Sequence, residues 1–228
     1  MMSRLPSYAS RAGRRLGASL RAPWFYLRLA QFLLGLTAMG LGLAVMLEAG
    51  VGVGPWAVFH EGLARVTPLT FGQALVAVGV VVLSLAWWWT GQRPGPGTFV
   101  NMVMVGPWVD VFRASGWVPS PTEFLPGVAQ FLIGVVILGT ASGMYITARF
   151  GAGPRDGFVL GLSRLLGRSV RRTRTYLEIA VLAIGFLLGG TVGIGTALFA
   201  MTIGPSMQFS MWAFTQAMPR APRPAAGD

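Results

Sequence analysis

Two similar phrases hold most of the side chains that could do chemistry. Gly52-Val53-Gly54-Pro55 is followed by Trp56 and then, on the same run, by His60-Glu61, and Gly151-Ala152-Gly153-Pro154 is followed at once by Arg155-Asp156. Glycines and then a proline at the first turn are how a helix starts out of irregular backbone. The helices so begun are short, from Pro55 to about Val66 and from Pro154 to about Leu166. At about 1.5 Å per residue such a helix covers roughly 18 Å, against a hydrocarbon layer about 30 Å thick. Its exposed N-terminus carries partial positive charge and suits an anion or a carboxylate.

Gly52, Gly54, Pro55, Gly151, Gly153 and Pro154 are therefore candidate binding positions, with close helix packing as the competing reading of the same glycines. His60, Glu61, Asp110, Arg155 and Asp156 are the ionisable candidates, because charge at membrane depth is costly and is usually paired or functional. His60 and Asp110 stand out for proton handling, since no arginine lies beside either in sequence. Asp156 could neutralise Arg155, and Glu178 follows Arg174 by four residues and is expected to pair with it or with Arg171. Asn101, Gln73, Gln208, Thr98 and Thr196 could line a path or bond between helices.

No catalytic constellation emerges, and an enzyme is not expected. There is no Ser/His/Asp arrangement with an elbow, no phosphate loop and no carboxylate pair at a credible spacing. With no cysteine and one histidine, neither a metal centre nor a cofactor is expected.

The elements that must position these residues are apolar. The chain is 54% hydrophobic and 11% charged with a mean hydropathy of +0.62, a composition of membrane proteins. The net charge of +11 does not indicate nucleic acid, because the arginines flank apolar spans, where a membrane protein keeps its cytoplasmic charge. The lipid bilayer is thus the expected partner.

The first apolar segment contains Ala30-Gln31-Phe32-Leu33-Leu34-Gly35, which reappears as Ala129-Gln130-Phe131-Leu132-Ile133-Gly134 at an offset of 99 shared by the glycine phrases. Gly97-Thr98 and Gly106-Pro107 match Gly195-Thr196 and Gly204-Pro205 at an offset of 98. We read two membrane units, 24–113 and 126–216, joined by a linker 114–125 and flanked by a basic arm 1–23 and a tail 217–228. Each unit is expected to hold a long helix (24–47; 126–147), the short helix, a second span (71–89; 175–191) and a third helix (97–113; 195–215) interrupted by Gly-Pro. The fold class is all-α, a polytopic transmembrane bundle of two repeats.

Re-entrant short helices give three crossings per unit and force the second unit upside down. With the termini inside, 16 arginines then lie inside and 2 outside; if the short helices span, as parallel units of four crossings each, the split is 15 to 3. Charge places both termini in the cytoplasm and does not choose between six and eight crossings, whereas helix length favours six with two half-helices. The halves also differ chemically: His60-Glu61 corresponds to Val159-Leu160, and Arg155-Asp156 to Trp56-Ala57. One asymmetric site between two halves would require such a difference. The expectation is a transporter or channel for a small anionic or carboxylate-bearing solute, with protons handled by His60, Asp110 or Asp156, and a non-transporting membrane scaffold as the alternative.

The phrase GVGPWAVFHEGLA, the G-x-GT-x-x-N of Gly95 to Asn101, GPRDGFVLGL, the R-x-x-x-E of Arg174 to Glu178, and GG-x-x-G-x-GT followed by Gly204-Pro205 resemble the YczE/YyaS/YitT family of bacterial integral membrane proteins, closest to its YczE branch. The resemblance runs over about residues 28 to 212. It implies a location in the bacterial inner membrane and a multi-pass topology, with transport presumed.

Overall fold

The computed structural model describes residues 23–91, 94–151 and 153–217. The basic arm up to residue 22 and the tail from 218 lie outside the described residues. The described residues form eight helices and no strand: α1 (Pro23–Glu48), α2 (Pro55–Val66), α3 (Phe71–Thr90), α4 (Pro96–Ala114), α5 (Phe124–Ala148), α6 (Pro154–Leu165), α7 (Val170–Leu187) and α8 (Ile194–Ala217). α2 and α6 are the expected short helices, each with glycine at the N-cap and proline in the first turn.

Among the described residues, three helices are long and apolar enough to cross a membrane: Trp24–Glu48 of α1, Phe71–Trp89 of α3 and Phe124–Ala148 of α5. The other long helices dilute their apolar runs with polar groups. α4 carries Asn101, Asp110 and Arg113, α7 opens on Arg171, Arg172 and Arg174, and α8 is rich in Thr, Ser and Gln.

Two expectations are corrected. The Gly-Pro pairs do not interrupt the third helices: α4 runs through Pro107 and α8 through Pro205. Proline removes one N–H from the ladder, and neighbouring helices packed along α4 and α8 hold the turns on either side. The helix expected over 175–191 lies over 170–187 instead. Ser169 caps its start by accepting from the Arg172 N–H at 3.4 Å, so the arginine run is helical. At the other end, Gly189 turns with φ of 91° and ends the helix.

The centre of the bundle is the α1/α5 pair. Gly35 lies against Met144 and Tyr145, Gly42 against Leu138, and Gly127 against Ala49, so the register falls on one helix as it rises on the other and the two run antiparallel. A Cβ on Gly42 would sit 2.8 Å from the Leu138 nitrogen, so only glycine lets the backbones come this close. Phe32, Leu36, Phe131 and Val135 fill the space around this pair. α4 packs on α1 where α8 packs on α5, and α2 packs on α7 where α6 packs on α3. The contacts repeat in detail: Gly40 meets Trp108, and Gly139, 99 residues on, meets Ser206. One pairing has no equal. α3 packs along α4, but α7 makes no comparable contact with α8.

Candidate solute site between the short helices

The backbone at each glycine phrase leaves helical geometry, so its polar groups need partners. Those of the carbonyl side come from the other half of the chain. The Gly195 N–H donates to the Val51 carbonyl at 2.8 Å, and the Thr196 hydroxyl donates to the Val53 carbonyl at 2.8 Å. Likewise the Gly97 N–H donates to the Phe150 carbonyl at 3.1 Å. The Gly195-Thr196 pair at the head of α8 thus holds the break before α2, and Gly97 at the head of α4 holds the break before α6. Gly52, with φ of 96°, has its Cα against Gly193, and a Cβ there would lie 2.4 Å from the Gly193 nitrogen.

The N–H side is different. Glycine at both N-caps offers no side-chain acceptor to the first turns of α2 and α6, and both first turns open into one cavity of about 530 Å³. All eight helices contribute to its wall. Trp56 and Arg155, matched by the 99-residue offset, meet there: the Arg155 guanidinium lies 4.7 Å from the centre of the Trp56 ring. The same guanidinium approaches His60 Nε2 at 3.4 Å. The Tyr145 hydroxyl donates to Asp156 Oδ2 at 3.0 Å, and Arg174 Nε donates to Glu178 Oε1 at 2.9 Å. These groups make one polar wall. Most of the remainder is apolar, including five of the chain's 11 methionines, a lining that adapts to irregular shapes. A second cavity of about 500 Å³ shares Asp156, Arg174, Met207 and Met211 with the first and continues it past Arg149.

The candidates read from sequence divide into three groups. Gly54, Pro55, Gly153, Pro154, Arg155 and Asp156 line the cavity. Gly151 lines the second cavity, and Gly52 and His60 stand behind the first, His60 fully enclosed between Trp56, Phe71 and Arg155. Glu61 and Asp110 are engaged elsewhere. Glu61 accepts from the Thr191 N–H and hydroxyl and from Arg65, each at 2.8 Å. Asp110 accepts from the Thr70 hydroxyl and, at 2.9 Å, from the Gly72 N–H, so it ties α4 to the start of α3.

Sequence neighbours misled in two cases. His60 has no arginine beside it in the chain but has one beside it in space, and no ion pair joins Arg155 to Asp156 among the described residues because Tyr145 takes the carboxylate instead. The expected Arg174–Glu178 pair is present. Of the polar residues expected to line a path or bond between helices, Asn101 and Gln208 reach the cavity wall, while Gln73 closes a capping box with Thr70. Tyr145 and Phe199 gave no signal in sequence. The Trp56–Arg155 meeting gave no signal beyond the 99-residue offset that the two residues share.

The eight helices of the described residues thus define an all-helical arrangement enclosing a cavity with one polar wall, three of them long and apolar enough to cross a membrane. The chain belongs to a family of unknown function, DUF6198, which it matches over residues 26–211. It is 33% identical over 184 residues to an "Uncharacterized protein" of Haemophilus influenzae, covering 81% of this chain and 83% of that one. It is 30% identical over 186 residues to the "Uncharacterized membrane protein YczE" of Bacillus subtilis, covering 81% and 86%. The "Uncharacterized protein YyaS" of the same organism is 26% identical over 169 residues, covering 72% and 83%. The family resemblance read from the motifs is therefore correct. No solved structure matches the chain.

Proposed function

We propose that the protein is a multi-pass protein of the bacterial inner membrane that passes a small anionic or carboxylate-bearing solute between its two halves. The observation that carries this reading is the opening of two uncapped helix N-termini, at Gly54 and Gly153, into one cavity with Arg155. No chemical reaction is assigned to it. The antiparallel course of α1 and α5, which begin the two units, supports inverted repeats, and arginine placement supports cytoplasmic termini. The relative named a membrane protein and the exposed Trp87, Trp88 and Trp89 at one end of α3, suited to an interfacial belt, support the membrane. We assign proton exchange with the solute to Asp156, which lies on the cavity wall beside Tyr145; His60 is enclosed behind Arg155 and does not face the solute.

Gly153 is the position to test. A Cβ there meets nothing closer than 3.4 Å, so Gly153→Leu should fold while pushing an isobutyl group toward the Asp156 wall. Saturable uptake of labelled carboxylates into proteoliposomes should fall at least roughly tenfold in this variant. Unchanged uptake would remove the site. One observation favours a second reading, a non-transporting scaffold: the Val51, Val53 and Phe150 carbonyls at the breaks are already met by protein. Co-purification of one stoichiometric partner, together with no flux of any carboxylate, would select it.

A further inference from the structure

The seam between α7 and α8 stands open where its counterpart is closed. In the first half, α3 lies on α4 through Gly72 and Gly79: a Cβ on Gly72 would be 2.2 Å from the Gly106 carbonyl oxygen, and one on Gly79 would be 2.8 Å from the Met102 side chain. The positions 99 residues on are Arg171 and Glu178, and those matching Gly106 and Met102 are Gly204 and Ala200. Large charged side chains on α7 replace the two glycines, and a Cβ on Gly204 would have nothing within 4 Å. Residues of both helices, Arg174, Leu177 and Glu178 on one side and Ala200, Gly204 and Gln208 on the other, reach the cavity wall across this gap.

Charge and shape in the cavity specify what could pass through. The four charged side chains on the wall, Arg155, Arg174, Asp156 and Glu178, sum to zero. Two helix N-termini of roughly +0.5 elementary charge each leave about one positive charge uncompensated. A volume of about 530 Å³ with a mostly apolar lining fits an organic ligand rather than an inorganic ion. Resting on the solute-pathway reading above, we infer that the ligand is a monoanion with an apolar body, an amphipathic carboxylate, which reaches the cavity sideways from the bilayer between α7 and α8. Arg171, Arg172 and Arg174 in the first turns of α7 hold the anionic headgroup at the mouth, and the methionines receive the tail. A second copy of the chain would not match this gap as well, since Arg174, Glu178 and Gln208 on its two sides are polar.

The test uses the full chain in lipid nanodiscs and radiolabelled octanoate, with acetate and octylamine as competitors. Octanoate should bind saturably, acetate should compete at least roughly tenfold more weakly for want of six methylenes, and octylamine should not compete. Arg155→Gln should weaken octanoate at least roughly tenfold. Ala200→Trp and Gly204→Leu, two independent obstructions of the gap, should each slow octanoate association at least roughly tenfold, in samples that remain monodisperse. Equal binding of acetate and octanoate would overturn the apolar-body inference and leave the solute pathway standing. Unchanged association in both gap variants would overturn the sideways route. Conversion of a dimer to a monomer by Ala200→Trp, with octanoate binding intact, would overturn it in favour of a second copy. Failure of acetate and octanoate alike to bind or cross would remove the inference together with the pathway.

Discussion

The α3/α4 seam and the α7/α8 seam occupy matching places in the chain and have opposite characters. On the first, Gly72 and Gly106 bring two backbones into contact, and Asp110 ties α4 to Thr70 and Gly72 at the head of α3. On the second, the matching positions are Arg171, Gly204, Gln208 and Ser169; Gly204 faces open space, and Gln208 lines the cavity. Glycine on both helices closes a seam, whereas glycine on one helix opposite arginine and glutamate leaves a gap. A few side chains thus decide on which flank the cavity opens while the backbone plan is kept.

This contrast is exposed to direct attack, most severely at the closed seam. Gly72→Leu puts a side chain where a Cβ alone would lie 2.2 Å from a carbonyl oxygen on another helix, and it should destabilise the protein by about 3 kcal/mol or more, read from thermal unfolding in detergent. A loss below about 1 kcal/mol would mean the two backbones are not pressed together. Asp110→Ala leaves the Gly72 N–H and the Thr70 hydroxyl without their carboxylate and should cost about 1–3 kcal/mol in the same assay. An Asp110→Ala variant as stable as the parent would show that the carboxylate does not join the helices. Gly204→Leu, the matching change at the open seam, should stay within about 0.5 kcal/mol of the parent. If it unfolds the chain as Gly72→Leu does, the seams do not differ and the gap is closed.

Much of the architecture was legible before any coordinates. Proline after Gly-x-Gly marked Pro55 and Pro154 as helix starts, and the structure begins α2 and α6 at those residues. The long helices α1 and α5 and the Arg174–Glu178 pair were equally readable, since each depends on composition or on a four-residue spacing. Errors came where a local rule met a tertiary contact. Gly-Pro reads as a break, yet α4 and α8 continue through it between packed neighbours. Asp110 reads as a lone membrane acid, yet it caps a helix that begins 40 residues earlier.

By itself, the sequence determined that the chain is built of apolar helices and where the short helices α2 and α6 begin, because hydropathy, proline geometry and residue spacing act within a few turns of the chain. Only the tertiary structure decided that Gly195-Thr196 and Gly97 each hold a break in the other half of the chain, that Arg155 rests on Trp56 and beside His60, and that α7 stands away from α8. Those outcomes depend on which surfaces meet across about a hundred residues of chain, and close approach between helices is set jointly by the side chains on both, a pairing that no single stretch contains.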